Sequence, residues 1–192
     1  IRPRVRGAGE YYILRRAFSE GIDIKTQEIY SQLEDEWKGY LPQFKSIFFD
    51  ARERLRSENI NSWIELHLIY DDVIDVMKTL NQQNRLYIAT LKDTKSVKLI
   101  LSKRDLEIPE AKLLGQSQIK SKMQALDHFR DQVGRDKKDI IFIDDNVTHL
   151  LEPKAAGYSV YLTTWGGVMK EYLQIAEQNH IQFIDSCTQL LH

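Results

Sequence analysis

The stretch IFIDDN, residues 141–146, places a short apolar segment directly before two adjacent aspartates. A plain turn is one explanation, because Asp and Asn hydrogen-bond to the nearby backbone and tolerate turn conformations. A ligand site is the other, because open α/β sheets bind their ligands at the carboxyl ends of parallel strands. The stretch predicts a buried strand that ends in carboxylates, and both explanations of that ending stay open.

Short apolar segments alternate with amphipathic segments on both sides of this stretch. The predicted strands are RLYIAT (85–90), DIIFID (139–144), YSVYLTT (158–164) and IQFI (181–184). The predicted helices are TKSVKLILSKRD (94–105), KMQALDHFRDQVG (122–134), HLLEPKAAG (149–157), VMKEYLQIAEQN (168–179) and SCTQLL (186–191). Such alternation is typical of right-handed βαβ crossovers. It predicts an α/β fold, a Rossmann-like core with a mostly parallel sheet.

The amino-terminal part of the chain has a different pattern. From about residue 10 to residue 81, apolar residues recur at the spacing of an amphipathic helix. Thr26 and Pro42 occupy positions typical of a helix cap and of a first helical turn. We therefore expect four or five helices and no strand in this part. The predicted domains are an α-helical module, residues 1–75, and an α/β core, residues 76–192.

Charge and composition exclude several classes of function. The chain has 27 Lys and Arg against 28 Asp and Glu, a formal net charge of −1, so no overall field favours nucleic acid. Arg2, Arg4 and Arg6 form a basic start, either solvated or an anion-binding arm. The single cysteine, Cys187, rules out an intramolecular disulfide and fits a reducing compartment. No apolar run reaches the length of a membrane span. We therefore expect a cytoplasmic protein that binds neither nucleic acid nor membranes.

Three strand or helix ends carry residues that can bind a phosphate or a metal. Thr90 ends a predicted strand, where its hydroxyl can donate to a phosphate oxygen or cap the next helix. Lys120 and Lys122 lie at a helix start, where a cation is unfavourable without a nearby anion, although solvated lysines are the alternative. Asp144 and Asp145 repel each other unless a cation or hydrogen-bond donors offset their charge. Their hard oxygen ligands suit Mg²⁺.

In their order and spacing, these ends resemble the motifs of the haloacid dehalogenase-like (HAD) superfamily of hydrolases. The similarity is to phosphoglycolate-phosphatase-like members with an α-helical cap, and it covers about residues 70–192. The segment EPKAAGYSVYLTTWGG (152–167) also resembles the family's Ala-Ala-Gly helix end, following strand and Trp-Gly turn. The helical residues 1–75 then correspond to the cap over the active site.

The resemblance implies a role for each of the residues that match a motif. Thr90 matches the Ser or Thr of the second motif, which with the next residue, Leu91, binds phosphate. Lys122 matches the catalytic, phosphate-binding lysine of the third motif, and Lys120 is its close rival. Asp144-Asp145 match the acidic fourth motif. There Asp145 aligns with the Mg²⁺ ligand, and Asp144 takes the glycine place and assists it.

These roles imply a Mg²⁺-dependent phosphohydrolase that acts on a small phosphorylated metabolite through an aspartyl-phosphate intermediate. A catalytically inactive relative that serves as a binding or interaction module is the alternative. A third hypothesis is an unrelated α/β protein in which IDDN is a turn and the helical part binds a partner.

Two departures from the family pattern bear on this interpretation. The family's first motif, an Asp-x-Asp that supplies the nucleophile from the central strand, does not occur in the sequence. Asp50 follows apolar residues, but Arg52 holds the second position and the segment fits a helix better. We therefore expect that strand to precede Ile1, and the sheet to be completed by a further segment, a partner chain or a rearrangement. His149 stands where many members carry another carboxylate, as a helix-start residue or a metal ligand. Asp144, or Asn146 through its side-chain oxygen, can take the place of that carboxylate.

Overall fold

The computed structural model describes Val5 and residues 7–191. The basic residues Arg2, Arg4 and Arg6, which could form an anion-binding arm, lie outside the described residues. No helix in the described part of the chain is both long and apolar enough to cross a membrane.

The chain divides between His67 and Leu68 into two compact units, each of which is described by itself. The first unit contains helices and no strand among its described residues, as the spacing of its apolar residues predicts. Its α-helices are α1 (Tyr11–Ser19), α2 (Gln27–Trp37), α3 (Leu41–Glu58) and α4 (Ile60–Glu65). Short 3-10 helices cover Ala8–Glu10 and Lys38–Tyr40.

Local sequence signals set the ends of these helices. The Thr26 hydroxyl accepts a hydrogen bond from the Ile29 N–H at 3.3 Å and caps α2. Pro42 lies in the first turn of α3, where a missing N–H leaves no helical bond unmade. The buried side chains that hold the unit together are Ile13, Ala17, Ile24, Tyr30, Leu33 and Trp37.

The second unit alternates strands with helices. Its helices are α5 (Asp71–Gln82), α6 (Thr94–Ser102), α7 (Lys122–Val133), α8 (Val147–Ala155) and α9 (Lys170–Gln178). Its strands are β1 (Ile88–Ala89), β2 (Leu113–Leu114), β3 (Ile141–Asp144), β4 (Ser159–Thr163) and β5 (Gln182–Ile184). Its 3-10 helices are Glu110–Lys112, Lys137–Asp139 and Cys187–Leu191. The predicted domain boundary at residue 75 falls inside α5.

All strand pairs among the described residues are parallel, and they form two sheets. One sheet pairs β1 with β2, with Ala89 opposite Leu114. The other has the order β3-β4-β5, with Asp144 opposite Leu162. This is the α/β Rossmann-like architecture that the alternation predicts. The sequence pattern misses β2, because Leu113–Leu114 is an isolated apolar pair, whereas the equally short β1 lies within the longer apolar run of residues 86–89.

Apolar residues from the strands and the covering helices form the core of the second unit. Gly134 ends α7 in the left-handed conformation with φ of 63°, which matches its predicted role as a helix stop. The largest buried cluster joins β3 and β4 to α7, α8 and α9. It consists of Leu126, Phe142, Val147, Leu150, Tyr158, Val160, Leu162, Ala176 and Ile181.

Candidate active site

The candidate site lies at the carboxyl ends of β1 and β3, where two loops and a helix start come together. Thr90 follows β1, Asp144 is the last residue of β3, and Lys122 is the first residue of α7. Ser121 caps α7, since its hydroxyl accepts from the Gln124 N–H at 3.1 Å. The cap fixes where the helix starts and therefore where Lys122 projects.

Lys122 connects the ends of the two strands. Its ammonium donates a short hydrogen bond to the Ala89 carbonyl oxygen and lies 3.6 Å from Asp144 Oδ2. The side chains of Lys122 and Asp144 are 14% and 9% exposed, so their attraction is only weakly screened by water. Lys120 precedes the cap residue and is exposed. Of the two candidate lysines, Lys122 is therefore the one whose charge lies at the strand ends.

Asp144 accepts hydrogen bonds on one oxygen and faces Lys122 with the other. Its Oδ1 accepts from the Asn146 N–H at 2.9 Å and lies 3.2 Å from His149 Nδ1. Burial acts to raise the pKa of Asp144, but the His149 hydrogen bond and the Lys122 charge outweigh it. The pKa of Asp144 therefore lies below its ordinary value, and this carboxylate stays ionised at neutral pH.

Asp145 has the opposite electrostatic environment. Partial burial and the neighbouring Asp144 charge raise its pKa above the ordinary value. The loop after β4 approaches it, since a Cβ placed on Gly166 would lie 3.7 Å from Asp145 Oδ2. The residue is nonetheless solvent-exposed. Asp145 is thus an accessible carboxylate whose negative charge is not offset by the groups around it.

Thr90 keeps a donor available for a ligand. Its hydroxyl oxygen accepts from the Lys92 N–H at 3.0 Å, which leaves the hydroxyl proton free to donate outward. Its own N–H donates to the Leu114 carbonyl at 2.9 Å, which anchors the strand end. Leu91 is 45% exposed. The loop after β1 therefore presents a hydroxyl donor beside the Ala89 carbonyl to which Lys122 is bound.

The strand edges on either side of Lys122 make no ladder bonds to each other in the described part of the chain. Within each peptide group of a strand, the C=O of one residue and the N–H of the next point to opposite sides. The Thr90 N–H points towards β2, where it donates to Leu114. The Ala89 carbonyl consequently points away from β2, to the edge where the Lys122 ammonium lies. β3 likewise pairs with β4 on one edge only. β1 and β3 therefore each have one edge without a ladder partner among the described residues.

The carboxylates of the site can be tested for their fit to Mg²⁺, the metal that the family resemblance implies. No group of three or more His, Cys, Asp and Glu side chains able to hold a metal occurs among the described residues. Asp144 and Asp145 supply adjacent oxygen donors, and Mg²⁺ commonly takes one or two carboxylates and retains water for the remainder. The raised pKa of Asp145 reflects negative charge that a cation would offset. The two residues therefore fit Mg²⁺ with a small number of protein ligands.

The remaining candidates from the sequence lie as follows. Asp50 is an exposed residue within helix α3 and not at a strand end. Asn146 caps α8 by accepting from the Thr148 N–H at 3.0 Å. The sequence pattern does not predict the contact between His149 and Asp144. It arises because α8 begins at Val147 and so brings the His149 ring back over the strand end.

Comparisons with known proteins bear on the fold. No family model and no curated protein matches the sequence. The crystal structure of a hydrolase from Pseudomonas syringae matches over 98% of this chain and 78% of that chain, with a TM-score of 0.56. The two chains share a fold. Because only 15% of the aligned residues are identical, this similarity supports the architecture and leaves the chemistry to the residues of the site.

Proposed function

We propose that this chain supplies the helical cap and the phosphate- and metal-binding strand ends of a hydrolase, specifically a Mg²⁺-dependent HAD-type phosphohydrolase. Its substrate is a small phosphomonoester. The observation that carries the proposal is the placement of the Lys122 ammonium, hydrogen-bonded to Ala89 beside Thr90 and 3.6 Å from Asp144. A hydroxyl donor, a fixed ammonium and two carboxylates at one group of strand ends suit phosphoryl transfer.

Thr90 and Lys122 bind the phosphoryl oxygens in this proposal. The ammonium is held by Ala89 and Asp144, so it needs little reorganisation when a phosphate arrives. Asp144 acts on Lys122 and is a positioning residue. His149 and the Asn146 N–H hold Asp144 in place, which makes the lysine's position depend on the start of α8.

Asp145, assisted by Asp144, would hold Mg²⁺, which supplies charge neutralisation for the transferring phosphoryl group. The raised pKa of Asp145 and its exposure are the observations that favour it as the ligand. The helical first unit would serve as the cap that selects the substrate.

The proposed reaction requires a nucleophilic aspartate, and the sequence contains no Asp-x-Asp motif that would supply it. In this proposal the nucleophile is an aspartate at the end of a strand that would pair with the edges of β1 and β3 that have no ladder partner among the described residues. An oxygen of that aspartate bonds to phosphorus as the ester P–O bond breaks, and the departing alkoxide takes a proton from solvent water. Water then cleaves the acyl phosphate, which releases inorganic phosphate and restores the carboxylate.

A non-catalytic binding module is the second candidate, and the absence of an Asp-x-Asp motif from the sequence favours it. Such a module would still bind phosphate at Thr90 and Lys122, but it would not turn over. The two candidates therefore differ in phosphate release and not in phosphate affinity.

The test measures inorganic phosphate released from a panel of phosphomonoesters by the protein at its native full length, with and without Mg²⁺. We expect Mg²⁺-dependent release that is lost in Asp145→Asn. Asp139→Asn is the matched control, because Asp139 is an exposed aspartate next to the amino end of β3. Phosphate binding without release would establish the binding module. Equal release by wild type and Asp145→Asn would overturn the metal assignment.

A further inference from the structure

The helical first unit contains a pocket that the proposed hydrolase chemistry does not use. The pocket has a volume of about 320 Å³, which lies at the lower end of the range for small-molecule sites. Its walls come from α1, the residue that follows α1, and α3. The lining residues are Tyr12, Arg15, Arg16, Ser19, Glu20 and Phe44.

One arginine of the pocket is held rigidly by its neighbours. Arg16 donates to Glu20 Oε1 at 2.7 Å and to the Tyr12 hydroxyl at 2.9 Å. Its guanidinium also lies over the Trp37 ring, 5.0 Å from the centroid, and 5.6 Å from the centroid of Tyr40. Arg16 is therefore part of the wall, and its charge is largely offset by Glu20.

The second arginine is available to a ligand. Arg15 is exposed, and its side chain makes no hydrogen bond or ion pair in the part of the chain that the structure describes. With Arg15, Arg16 and Glu20 all ionised, the pocket carries one excess positive charge. A planar guanidinium with several free N–H groups matches a carboxylate or phosphate better than it matches a neutral group.

Aromatic rings give the pocket a flat apolar side. The Tyr12 ring stacks on Tyr40 with centroids 5.4 Å apart, and it meets Phe44 edge-on at 5.6 Å. These contacts hold Tyr12 and Phe44 in fixed orientations beside Arg15. A ligand that satisfied both sides would carry an anionic group for Arg15 and a flat ring for the aromatic side.

We propose that this pocket binds a small organic anion in which a carboxylate or a phosphate is attached to a flat ring. The oxyanion pairs with Arg15 and the ring packs against Tyr12 and Phe44. None of the residues of this pocket belongs to the strand ends of the second unit, so binding in the pocket can be measured separately from the proposed hydrolysis.

The test is a titration of the ¹⁵N-labelled full chain, followed by its backbone amide signals. The probes are benzoate and phenyl phosphate as ring anions, benzamide as the neutral ring and inorganic phosphate as the ringless anion. We expect saturable shifts centred on residues 12–20 with both ring anions, or with one, which then identifies the preferred anion. Benzamide and inorganic phosphate should bind there at least about tenfold more weakly, because benzamide lacks the negative charge and inorganic phosphate lacks the ring.

Substitutions distinguish binding in this pocket from a general effect of surface charge on binding. Arg15→Gln should weaken the ring anions about tenfold, and Phe44→Leu should weaken them without abolishing the preference for an anion over benzamide. Arg54→Gln is the matched control, because Arg54 is an exposed arginine of α3 outside the pocket, and it should bind like wild type.

Three results would overturn the proposal. The first is the absence of saturable shifts on α1, and the second is an equal loss of binding in Arg15→Gln and Arg54→Gln. The third is binding of inorganic phosphate as tight as that of phenyl phosphate. Phenyl phosphate that shifts only signals around Lys122, with no response to benzoate at residues 12–20, is a case of the first result and leaves the proposed hydrolase site in place.

Discussion

The ammonium of Lys122 lies 3.6 Å from Asp144 Oδ2 and donates a hydrogen bond to the carbonyl of Ala89. The pair therefore joins β3 to β1 through one side chain, although the two strands share no ladder bonds among the described residues. Because both side chains are mostly buried, this contact affects stability as well as chemistry.

Removing the Lys122 charge should destabilise the fold. Lys122→Met leaves the Asp144 carboxylate with His149 and the Asn146 N–H but without its cation. We expect the free energy of unfolding in urea to fall by about 1–3 kcal/mol. Lys120→Met, which removes an exposed lysine two positions earlier, should change it by less than about 0.5 kcal/mol. Equal stabilities of the two variants would mean that the Lys122–Asp144 contact contributes nothing.

The close approach of two loops beside the site requires glycine at position 115. A Cβ there would lie 2.7 Å from Thr94 Cγ2 and 3.0 Å from the Lys92 carbonyl oxygen. Gly115→Ala should therefore destabilise the protein by about 1–3 kcal/mol in thermal or urea unfolding. Gly39→Ala is the control, since a Cβ at Gly39 meets nothing within 4 Å. An unchanged midpoint for Gly115→Ala would show that these loops are not packed as described.

Tyr158 should make stability fall at high pH. Its hydroxyl donates to Asp127 Oδ1 at 2.7 Å, and burial together with this hydrogen bond raises its pKa to about 12. The unfolded value is about 10. A raised pKa in the folded state favours the protonated form, so the stabilisation is complete below pH 10 and is lost as pH rises towards 12.

The comparison that isolates this effect is wild type against Tyr158→Phe. Below pH 10 wild type should be more stable by about 1 kcal/mol, and the difference should shrink steadily between pH 10 and pH 12. A difference that stays constant over this range would show that Tyr158 does not titrate as its surroundings indicate.

Substitutions of Thr90 test its role as a phosphate donor. Thr90→Ser keeps the hydroxyl, while Thr90→Val removes it at similar volume. We expect kcat/KM for phosphomonoester hydrolysis to fall about 10- to 100-fold in the valine variant and only a few-fold in the serine variant. A serine variant as impaired as the valine variant would assign Thr90 to packing.

Much of this fold follows from the sequence because four of the five strands lie in apolar segments that alternate with amphipathic helices. The pattern does not predict β2, since Leu113–Leu114 is an isolated apolar pair between Lys112 and Gly115. The helices of the first unit follow from the helical spacing of their apolar residues, and Thr26 and Pro42 mark the starts of α2 and α3.

The details of the site were less accessible from the sequence. Lys120 and Lys122 look alike in sequence, and only the cap at Ser121 puts one outside the helix and the other at its first position. The His149–Asp144 contact depends on where α8 begins and has no spacing signature of its own. The role of Asp145 as a metal ligand stays a prediction, favoured by its exposure and its raised pKa.

The most direct test of the central proposal is Mg²⁺-dependent phosphate release by the full-length wild type, Lys122→Met and Lys120→Met, each checked for native folding under the assay conditions. We expect wild type and Lys120→Met to agree within about twofold, and Lys122→Met to fall about 100-fold or more, because it lacks the charge that faces the phosphoryl group. Release by Lys122→Met at the wild-type rate, or no release by wild type with any phosphomonoester, would contradict the proposal.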